Sequence, residues 1–383
     1  MAAPSALGHA NKRLSLGDKL RQITWGLALT VAAIAAIGLT MLYSAAGGDW
    51  DPWASRQAIR FALGFAIMIA VATVDIRIWM KAAYPFYALS VGLLLAVEIM
   101  GEIGMGAQRW LDLGFVQIQP AELAKIAIVL VVARHFHGLT HEQIGNPLHL
   151  LWPLLLTLVP AFLIFKQPKL GTTLVVLATS GIVFFMAGVR IWKFALVGLA
   201  GAAAVPVAWS LLRDYQKNRV LMFLNPESDP LGAGYHIIQS KIALGSGGIW
   251  GKGLLGGTQS HLQFLPEKQT DFIFTMLSEE FGFVGGLALI GLYTLVVLYG
   301  LGIAYRARSQ FGRLVAIGIL SGIYLNALIN MAMVMGLVPV VGEPLPLVSY
   351  GGTSMLTLLF GVGILIGVYV HRDVAVPRRG GDG

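Results

Sequence analysis

The chain has 383 residues, of which 56% are hydrophobic and only 12% are charged. Soluble domains carry about 25% charged residues, so the composition excludes a soluble enzyme or binding module and predicts a protein that crosses a membrane several times. The net charge of +8 requires no nucleic-acid partner, because Lys and Arg concentrate in the cytoplasmic loops of such proteins. The absence of Cys excludes disulfides and thiolate metal sites.

Apolar stretches of about 20 residues, the length that a helix needs to cross a bilayer, recur along the chain. They predict ten transmembrane helices, at residues 23–45, 57–75, 78–100, 121–138, 148–165, 170–188, 191–212, 271–302, 312–338 and 348–370. The eighth stretch is too long for one simple span, so we expect it to contain an interfacial or broken portion. The predicted fold class is therefore an all-α polytopic membrane protein.

The distribution of Lys and Arg predicts the orientation of these spans. Outside residues 213–270, most Lys and Arg residues lie in the two tails and in every second connection between the predicted spans. The positive-inside rule assigns these segments to the cytoplasm. Both termini are then expected in the cytoplasm, and a long extracytoplasmic loop joins helices 7 and 8. The expected segments are a cytoplasmic tail at 1–22, transmembrane helices 1–7 at 23–212, the loop at 213–270, helices 8–10 at 271–372 and a second cytoplasmic tail at 373–383. The apolar run from Ile23 is longer than the hydrophobic region of a signal peptide, so we expect it to be retained.

The long loop ends at Asp271, where the polar chain enters the eighth apolar stretch. A carboxylate at a membrane edge is costly unless it is partnered or hydrated, so Asp271 is a candidate functional residue. The simpler alternative is that Asp271 caps the helix that follows it.

Glu122 and Lys125 are spaced i, i+3 at the start of the fourth predicted span, so they share one helix face. They could form an ion pair whose two charges neutralise each other at the membrane edge and that has no further role. Alternatively, Lys125 reaches beyond Glu122 to a phosphate or to Asp271.

Two further stretches stand out within the loop. Residues 235–244 have the pattern of a short amphipathic helix, and the glycine-rich run 245–257 follows it. Residues 251–256 match the dinucleotide-binding fingerprint formally, but no strand or βαβ unit precedes them, so the match fails its own context. We interpret the run as a flexible loop, either able to approach a bulky ligand closely or simply exposed.

Three prolines between residues 339 and 346 predict a broken helix at membrane depth. Such backbone is tolerated only where it is buried in protein or lines a cavity. Asn326 and Asn330, one turn apart on the preceding helix, could satisfy the carbonyl groups that the break leaves open.

Five blocks in one order carry a family resemblance. They are GAQRWLDLG at 106–114, QPAELAK at 119–125, LGTT at 170–173, the block from Asn225 that ends in TDFIF at 270–274, and the block from Gly336 to Ser354. Together they resemble the SEDS family (shape, elongation, division and sporulation) over residues 24–372. The block that ends in TDFIF is more similar to the rod-shape elongation branch than to the division branch.

The resemblance implies a peptidoglycan glycosyltransferase that polymerises lipid II at the outer face of the bacterial cytoplasmic (inner) membrane during cell elongation, with its active site facing the periplasm. It also implies a class B penicillin-binding protein as the partner that crosslinks the new strands. The essential Asp of the family matches Asp271, and the Glu and Lys of its QPxExxK block match Glu122 and Lys125. We predict Asp271 as the general base on the acceptor hydroxyl, with Lys125 and Glu122 as its catalytic partners. The predicted substrate-binding residues are Arg109, Arg219, Lys166, Lys241, Glu267 and Ser349.

The sequence departs from the family pattern at three positions near these blocks. Gln269 stands where the family commonly has His, Lys169 replaces an Asp, and Glu343 replaces a small or apolar residue. None of these departures changes Asp271.

Two other functions remain open: a lipid II flippase without chemistry, and a non-catalytic scaffold of the penicillin-binding protein. A transporter should place its key charges in mid-span, whereas here they cluster at the outer membrane edge. The sequence shows no dedicated metal site or other cofactor site. A divalent cation, Mg²⁺ or Mn²⁺, bound mainly through the lipid diphosphate would leave little trace in the sequence, so a metal requirement stays open.

Overall fold

The computed structural model describes residues 15–104, 107–112, 117–167, 169–211, 217, 221, 223–225, 235–261 and 267–376. Within these ranges the chain is a bundle of long helices with a small sheet at one end. The helices are α1 (Leu16–Gln22), α2 (Trp25–Ala45), α3 (Ala54–Ala72), α4 (Ile76–Met100), α5 (Pro120–His137), α6 (His141–Gly145), α7 (Pro147–Lys166), α8 (Leu170–Ala187), α9 (Ile191–Leu211), α10 (Tyr235–Ser246), α11 (Thr258–His261), α12 (Ile273–Arg306), α13 (Gln310–Val334) and α14 (Gly352–Val370).

Each predicted membrane span coincides with one of these helices to within about four residues. Eight of them, namely α2, α3, α4, α7, α8, α12, α13 and α14, are long and apolar enough to cross a membrane. The other two predicted spans coincide with α5, which carries Glu122 and Lys125 in its first two turns, and with α9, which contains a shorter apolar stretch at Ile191–Pro206. The protein is therefore a helical, multi-pass membrane protein, and the full count of ten spans stays a prediction.

The sequence-based fold class missed a small sheet. Strands β1 (Glu102–Gly104), β2 (Ala107–Asp112) and β3 (Gln117–Ile118) pair antiparallel in the order β1-β2-β3 between α4 and α5. An all-α assignment was therefore incomplete. The strands are too short for their sequence pattern to stand out. Pairing between neighbouring strands satisfies the backbone N–H and C=O groups of this non-helical connection.

The centre of the bundle is formed by α5, α13 and α14. Helix α5 packs on α4, α8 and α13, whereas α14 packs on α3 and α12 packs on α2 and α13. Residues on all sides of α5 are buried, from Pro120 to His137. A helix that is apolar on nearly all sides belongs in a core or in a membrane, and the neighbouring helices bury α5 inside the bundle.

The two ends of the described chain lie at the same end of the bundle. Arg372, just after α14, donates a hydrogen bond from its guanidinium to the side-chain oxygen of Gln22 at 3.3 Å. Lys19 in α1 donates to the backbone oxygen of Thr73 at 2.8 Å. This arrangement agrees with an even number of membrane crossings.

The break expected in the eighth span is confirmed. Helix α12 contains Gly282 with φ +65° and ψ −160°, so two helical segments meet there at a kink. A Cβ at this position would collide with the backbone of Gly251 and Ile249. Glycine is therefore required here both by its conformation and by the close approach of a second chain segment.

The glycine-rich run packs against this break, so the interpretation of a freely flexible loop was wrong. A helix break leaves backbone N–H and C=O groups without intrahelical partners, and the run supplies those partners. Four hydrogen bonds do so: Lys252 N to Glu279 O at 3.1 Å, Gly253 N to Glu280 O at 2.9 Å, Phe283 N to Gly248 O at 2.9 Å and Val284 N to Ile249 O at 3.1 Å.

The short helix predicted at 235–244 is confirmed as α10. It does not simply lie on the surface, because the hydroxyl of Ser240 is fully buried between two long helices. Ser240 Oγ lies 2.8 Å from Thr275 Oγ1 of α12 and donates to the backbone oxygen of Val334 at 2.9 Å. The loop between α9 and α12 is thus anchored to the bundle at α10.

Candidate functional site

Asp271 lies partly buried, two residues before the first residue of α12. The N-cap position of that helix belongs to Phe272, which has no polar side chain with which to cap it. Asp271 is therefore the residue before the N-cap position and not the N-cap residue itself.

The backbone in front of α12 is clamped through three consecutive carbonyl oxygens. Gln269 O accepts a hydrogen bond from the backbone N–H of Tyr350 at 2.8 Å. Thr270 O accepts from the hydroxyl of Ser349 at 2.6 Å, and Asp271 O accepts from the side-chain amide of Asn330 at 2.9 Å. We call this set of three hydrogen bonds the carbonyl clamp. It fixes the backbone from which the Asp271 carboxylate projects.

The clamp is itself anchored by α3. Gln57 is almost fully buried, donates from Nε2 to the backbone oxygen of Ser349 at 3.0 Å and accepts at Oε1 from the N–H of Gly351 at 3.4 Å. The hydroxyl of Ser349 also accepts from the N–H of Leu345 at 2.8 Å. The backbone around Asp271 is therefore held by α3, by α13 and by the broken segment before α14.

This broken segment, residues 335–351, runs between α13 and α14, as the three prolines predicted. The expected role of Asn330 is also confirmed, since its Nδ2 donates to the backbone oxygen of Glu343 at 2.7 Å as well as to that of Asp271. Gly342 has φ +67°, and a Cβ there would lie 3.4 Å from Asp271 Oδ2. The Asp271 carboxylate thus lies directly beside the break.

Glu122 and Lys125 form the ion pair that their spacing predicts. The distance from Lys125 Nζ to Glu122 Oε1 is 2.9 Å, and the two side chains are only 16% and 9% exposed. Pro120 occupies the first turn of α5, where its fixed φ suits the helix start. The pair therefore lies at the N-terminal end of a buried helix.

Glu343 brings a third charged group to this pair. It is 3% exposed, accepts a hydrogen bond from the hydroxyl of Thr172 and lies within electrostatic range of Lys125 and Lys169. Together with Glu122, Lys125 and Ser349, it lines a cavity of about 30 Å³. Because one water needs about 10–15 Å³ measured this way, the cavity has room for about two waters.

A second cavity, of about 70 Å³, lies beside the first. The two share Glu122, Lys125, Asn326 and Leu358, and the second extends between α5, α8, α13 and α14 along apolar side chains such as Val129 and Ile323. The Glu122–Lys125 pair therefore lies between a pocket next to the carbonyl clamp, which Glu343 also lines, and a more apolar pocket between the helices.

The predicted substrate-binding residues are more scattered. Lys166 lies at the end of α7 with its side chain 53% exposed, 3.7 Å from Glu98. Lys241 lies on α10 with its side chain against Gly336. Glu267 has φ +58° and accepts from the hydroxyl of Thr270 at 2.8 Å.

The remaining predicted residues fall into two groups. Ser349 is 5% exposed, and its hydroxyl takes part in the two hydrogen bonds described above. The structure thus gives Ser349 a positioning contact, while its contact with substrate stays a prediction. Arg109 lies on β2, but its side chain lies outside the described part of the structure, as does Arg219 altogether.

Glu279 and Glu280 lie in α12, about two turns beyond Asp271. Both are fully buried, and their carboxylates accept hydrogen bonds from two different parts of the chain. Glu279 Oε1 accepts from Lys252 Nζ at 2.7 Å and from Gln259 N at 3.0 Å, while Glu280 accepts from the hydroxyl of Ser44.

In the turn before Asp271, burial lowers the pKa of Lys268, an effect that the Glu280 carboxylate partly opposes.

Sequence reasoning missed Gln57, Thr172 and the partner of Lys252. The LGTT block and the glycine-rich run include Thr172 and Lys252, but the sequence does not show their partners, because each residue acts on a group more than 25 residues away. Within the described ranges, no group of three or more His, Cys, Asp and Glu side chains is arranged to hold a metal ion.

The chain matches known proteins over almost its whole length. The family model described as "Cell cycle protein", which joins FtsW, RodA and SpoVE, matches residues 24–374. Peptidoglycan glycosyltransferase MrdB of Escherichia coli strain K12 is 44% identical over 356 residues, which cover 90% of this chain and 93% of that protein.

Solved structures of related proteins also match the chain over most of its length. A chain from a peptidoglycan synthase complex, described as coordinating polymerization and crosslinking, matches with a TM-score of 0.78 and 34% identity over 91% of this chain and 98% of that one. The rod shape determining protein RodA of Thermus thermophilus matches with a TM-score of 0.70 and 31% identity over 91% of this chain and 97% of that one. The chain therefore belongs to the FtsW/RodA/SpoVE family, which is the SEDS family.

Proposed function

We propose that this protein is a peptidoglycan glycosyltransferase that polymerises lipid II into glycan strands during cell elongation, with Asp271 as the general base. The carbonyl clamp is the observation that supports the role of Asp271. Three hydrogen bonds to consecutive carbonyls fix the backbone of one partly buried carboxylate at the end of a membrane helix. The kinship with MrdB, which is 44% identical, supports the reaction class.

In the proposed reaction, two lipid-linked sugars meet beside the broken segment. Asp271 accepts the proton of the acceptor 4-hydroxyl while the acceptor oxygen attacks the anomeric carbon of the donor sugar. The bond from that carbon to the diphosphate breaks, the electron pair leaves with the lipid diphosphate, and the configuration inverts. A positioned general base contributes about 10²–10⁴-fold to such a step.

The clamp matters because a general base is effective only if its geometry is fixed before the reaction. A carboxylate on a mobile loop would have to be ordered in every turnover, at a cost in conformational entropy. The contacts from Asn330, Ser349 and Tyr350 make that ordering part of folding instead.

Lys125 serves the leaving group in this proposal. Developing negative charge on a diphosphate requires positive partners, and Lys125 is a buried ammonium that faces the small cavity with Glu122. Glu122 holds Lys125 in place until the diphosphate arrives. Lys125 also keeps Asp271 ionised. Arg109, Arg219, Lys166 and Lys241 are the other cations that we assign to the anionic substrate.

We place the protein in the bacterial inner membrane with Asp271 facing the periplasm, where the polymer is needed. A class B penicillin-binding protein is the proposed partner. The similarity to a chain from a complex described as coordinating polymerization and crosslinking supports this choice.

A divalent cation bound through the diphosphate would assist Lys125. Comparing the polymerisation rate in Mg²⁺, in Mn²⁺ and in the presence of a chelator tests this point.

The deciding experiment uses purified protein, fluorescent lipid II and a gel that resolves polymer, with and without the partner. It compares the wild type with Asp271→Asn, which keeps the size of the side chain but cannot accept the proton. We expect polymer from the wild type and at least a hundredfold less from the variant at equal folded protein. Equal polymer from both would refute the assigned role of Asp271.

The two other functions give different results. A scaffold would leave polymerisation by the complex unchanged in the Asp271→Asn variant. A flippase would make no polymer in either form, but it would move labelled lipid II across the bilayer of liposomes.

A further inference from the structure

The glycine-rich run carries an apolar surface that the rest of the chain leaves open. Four of its large side chains are exposed, and we call them the apolar rim: Ile249, Trp250, Leu254 and Leu255. Ile249 and Trp250 are exposed to 63% and 79%. The only charged residue between positions 249 and 255 is Lys252, and its Nζ is drawn to Oε1 of the buried Glu279 at 2.7 Å. Such a large apolar patch marks an interaction surface.

The backbone of Leu255 also indicates an apolar neighbour for the rim. Its φ is +64°, which is unfavourable for a residue with a bulky side chain. Glycine would relieve this strain, and a polar residue would suit contact with water, so an exposed leucine is explained only by an apolar environment. A Cβ on Gly48, in the connection after α2, would lie 3.5 Å from Leu255 Cδ1. Trp50 in that connection is exposed as well, so the apolar surface continues there.

Two contacts between α2 and α12 show the depth of the rim in the membrane. At one end of this pair of helices a Cβ on Gly26 would collide with the side chain of Tyr299. At the other end the hydroxyl of Ser44 donates to Glu280. The two contacts are 18 residues apart along α2 and 19 along α12, or about 27 Å at 1.5 Å per residue. Because the hydrocarbon core is about 30 Å thick, the contacts lie near its two boundaries.

The rim lies at the boundary marked by Glu280. The N–H of Val284 donates to the backbone oxygen of Ile249 at 3.1 Å, so the run joins α12 four residues from Glu280 in the direction of the membrane centre. Phe283, beside this junction, is 66% exposed, and Leu287, one turn further along α12, is exposed too. The rim is therefore continuous with the surface that α12 presents to lipid.

We propose that the apolar rim inserts into the interfacial region of the bilayer and anchors the loop between α9 and α12 to the lipid surface. Trp250 suits this position, because an indole buries its apolar body while its N–H stays in contact with headgroups or water. Hydrogen bonds couple the run to the break in α12, so the bilayer helps to fix the height of the helix that begins just after Asp271. The inference does not depend on the proposed reaction.

The test exploits the absence of Cys from the chain. The full-length protein with Trp250→Cys, or with Ile249→Cys beside an intact Trp250, is labelled with a small fluorophore. It is reconstituted without a partner protein in nanodiscs of phosphatidylcholine and phosphatidylglycerol. Phospholipids that are spin-labelled near the headgroup quench the label from the interface, and iodide quenches it from water. We expect strong quenching by the spin-labelled lipid at both positions.

Two labelled variants calibrate the measurement. Ile290→Cys, at an exposed position of α12 near the midpoint between the two boundaries, should be quenched best by phospholipids that are spin-labelled near the chain end. Glu142→Cys, at an exposed position of α6, should be quenched mainly by iodide. We expect iodide to quench it about fivefold more strongly than the two rim labels, because side chains at the interface are withdrawn from bulk water.

Three results would overturn the proposal. The first is iodide quenching of both rim labels as strong as that of Glu142→Cys. The second is rim labels that neither the spin-labelled lipids nor iodide can reach. The third is shielding from iodide that occurs only after a class B penicillin-binding protein is added, because a protein would then cover the rim. If Trp250→Cys does not fold, Ile249→Cys decides alone.

Discussion

Asn330 and Asp271 lie 59 residues apart in the sequence, yet the side-chain amide of Asn330 donates to the backbone oxygen of Asp271 at 2.9 Å. The same nitrogen donates to the backbone oxygen of Glu343 at 2.7 Å. One amide therefore ties the start of α12 to the broken segment before α14, and with it the predicted general base to the charges around Lys125.

Replacing Asn330 by Leu should weaken both the stability and the activity of the protein. Two carbonyl oxygens would lose their donor, and a buried unsatisfied group costs about 1–3 kcal/mol. We expect a lower midpoint of thermal unfolding in detergent and a lower polymerisation rate per folded molecule. Asn326→Leu, one turn earlier on the same helix, is the matched control and should slow polymerisation less. Equal loss of rate in both variants would contradict the clamp.

Gly342→Ala should lower polymerisation more than its effect on stability explains. The φ of +67° is strained for alanine by about 1–2 kcal/mol, and the new Cβ would lie 3.4 Å from Asp271 Oδ2. Gly188→Ala, at φ +105° after α8, introduces comparable strain far from Asp271. We expect similar unfolding midpoints for the two variants but a selective loss of kcat in Gly342→Ala.

Gly282→Ala should destabilise the folded protein severely. At φ +65° and ψ −160° the backbone is in a region reserved for glycine, where strain costs about 1–3 kcal/mol, and the Cβ would also collide with Gly251 and Ile249. Gly291→Ala on the same helix adds a Cβ that meets no other described atom within 4 Å. Thermal unfolding in detergent compares the two, and an unchanged midpoint in Gly282→Ala would argue against the packed glycine-rich run.

Lys252→Met should destabilise the packing of the glycine-rich run, because it removes the ion pair between Lys252 and the buried Glu279. Glu279 is fully buried, and it would retain its hydrogen bonds from Thr258 and Gln259 while losing its cation. We expect a loss of about 1–3 kcal/mol in the free energy of unfolding, of which Glu279→Gln in the same background should restore a part. Lys166→Met removes an exposed lysine 3.7 Å from its partner and should cost less than about 1 kcal/mol.

The sequence by itself determined the elements whose cause is local. The lengths of the apolar stretches predicted the positions of the long helices. The excess length of the eighth stretch predicted the break that the structure shows at Gly282. Three prolines predicted the broken segment, and the i, i+3 spacing predicted the ion pair of Glu122 with Lys125. Each of these follows from backbone geometry or side-chain hydrophobicity within a few turns of chain.

Only the tertiary structure decided which distant groups meet. The link from Gln57 to Ser349 spans 292 residues, and nothing in the sequence directs Lys252 toward Glu279 or Glu343 toward Thr172. Nearly uniform apolar helices carry little information about which face packs on which neighbour. The carbonyl clamp and the grouping of Glu122 and Glu343 around Lys125 therefore arise from the packing of the helices, because polar groups that are buried together need hydrogen-bonding partners.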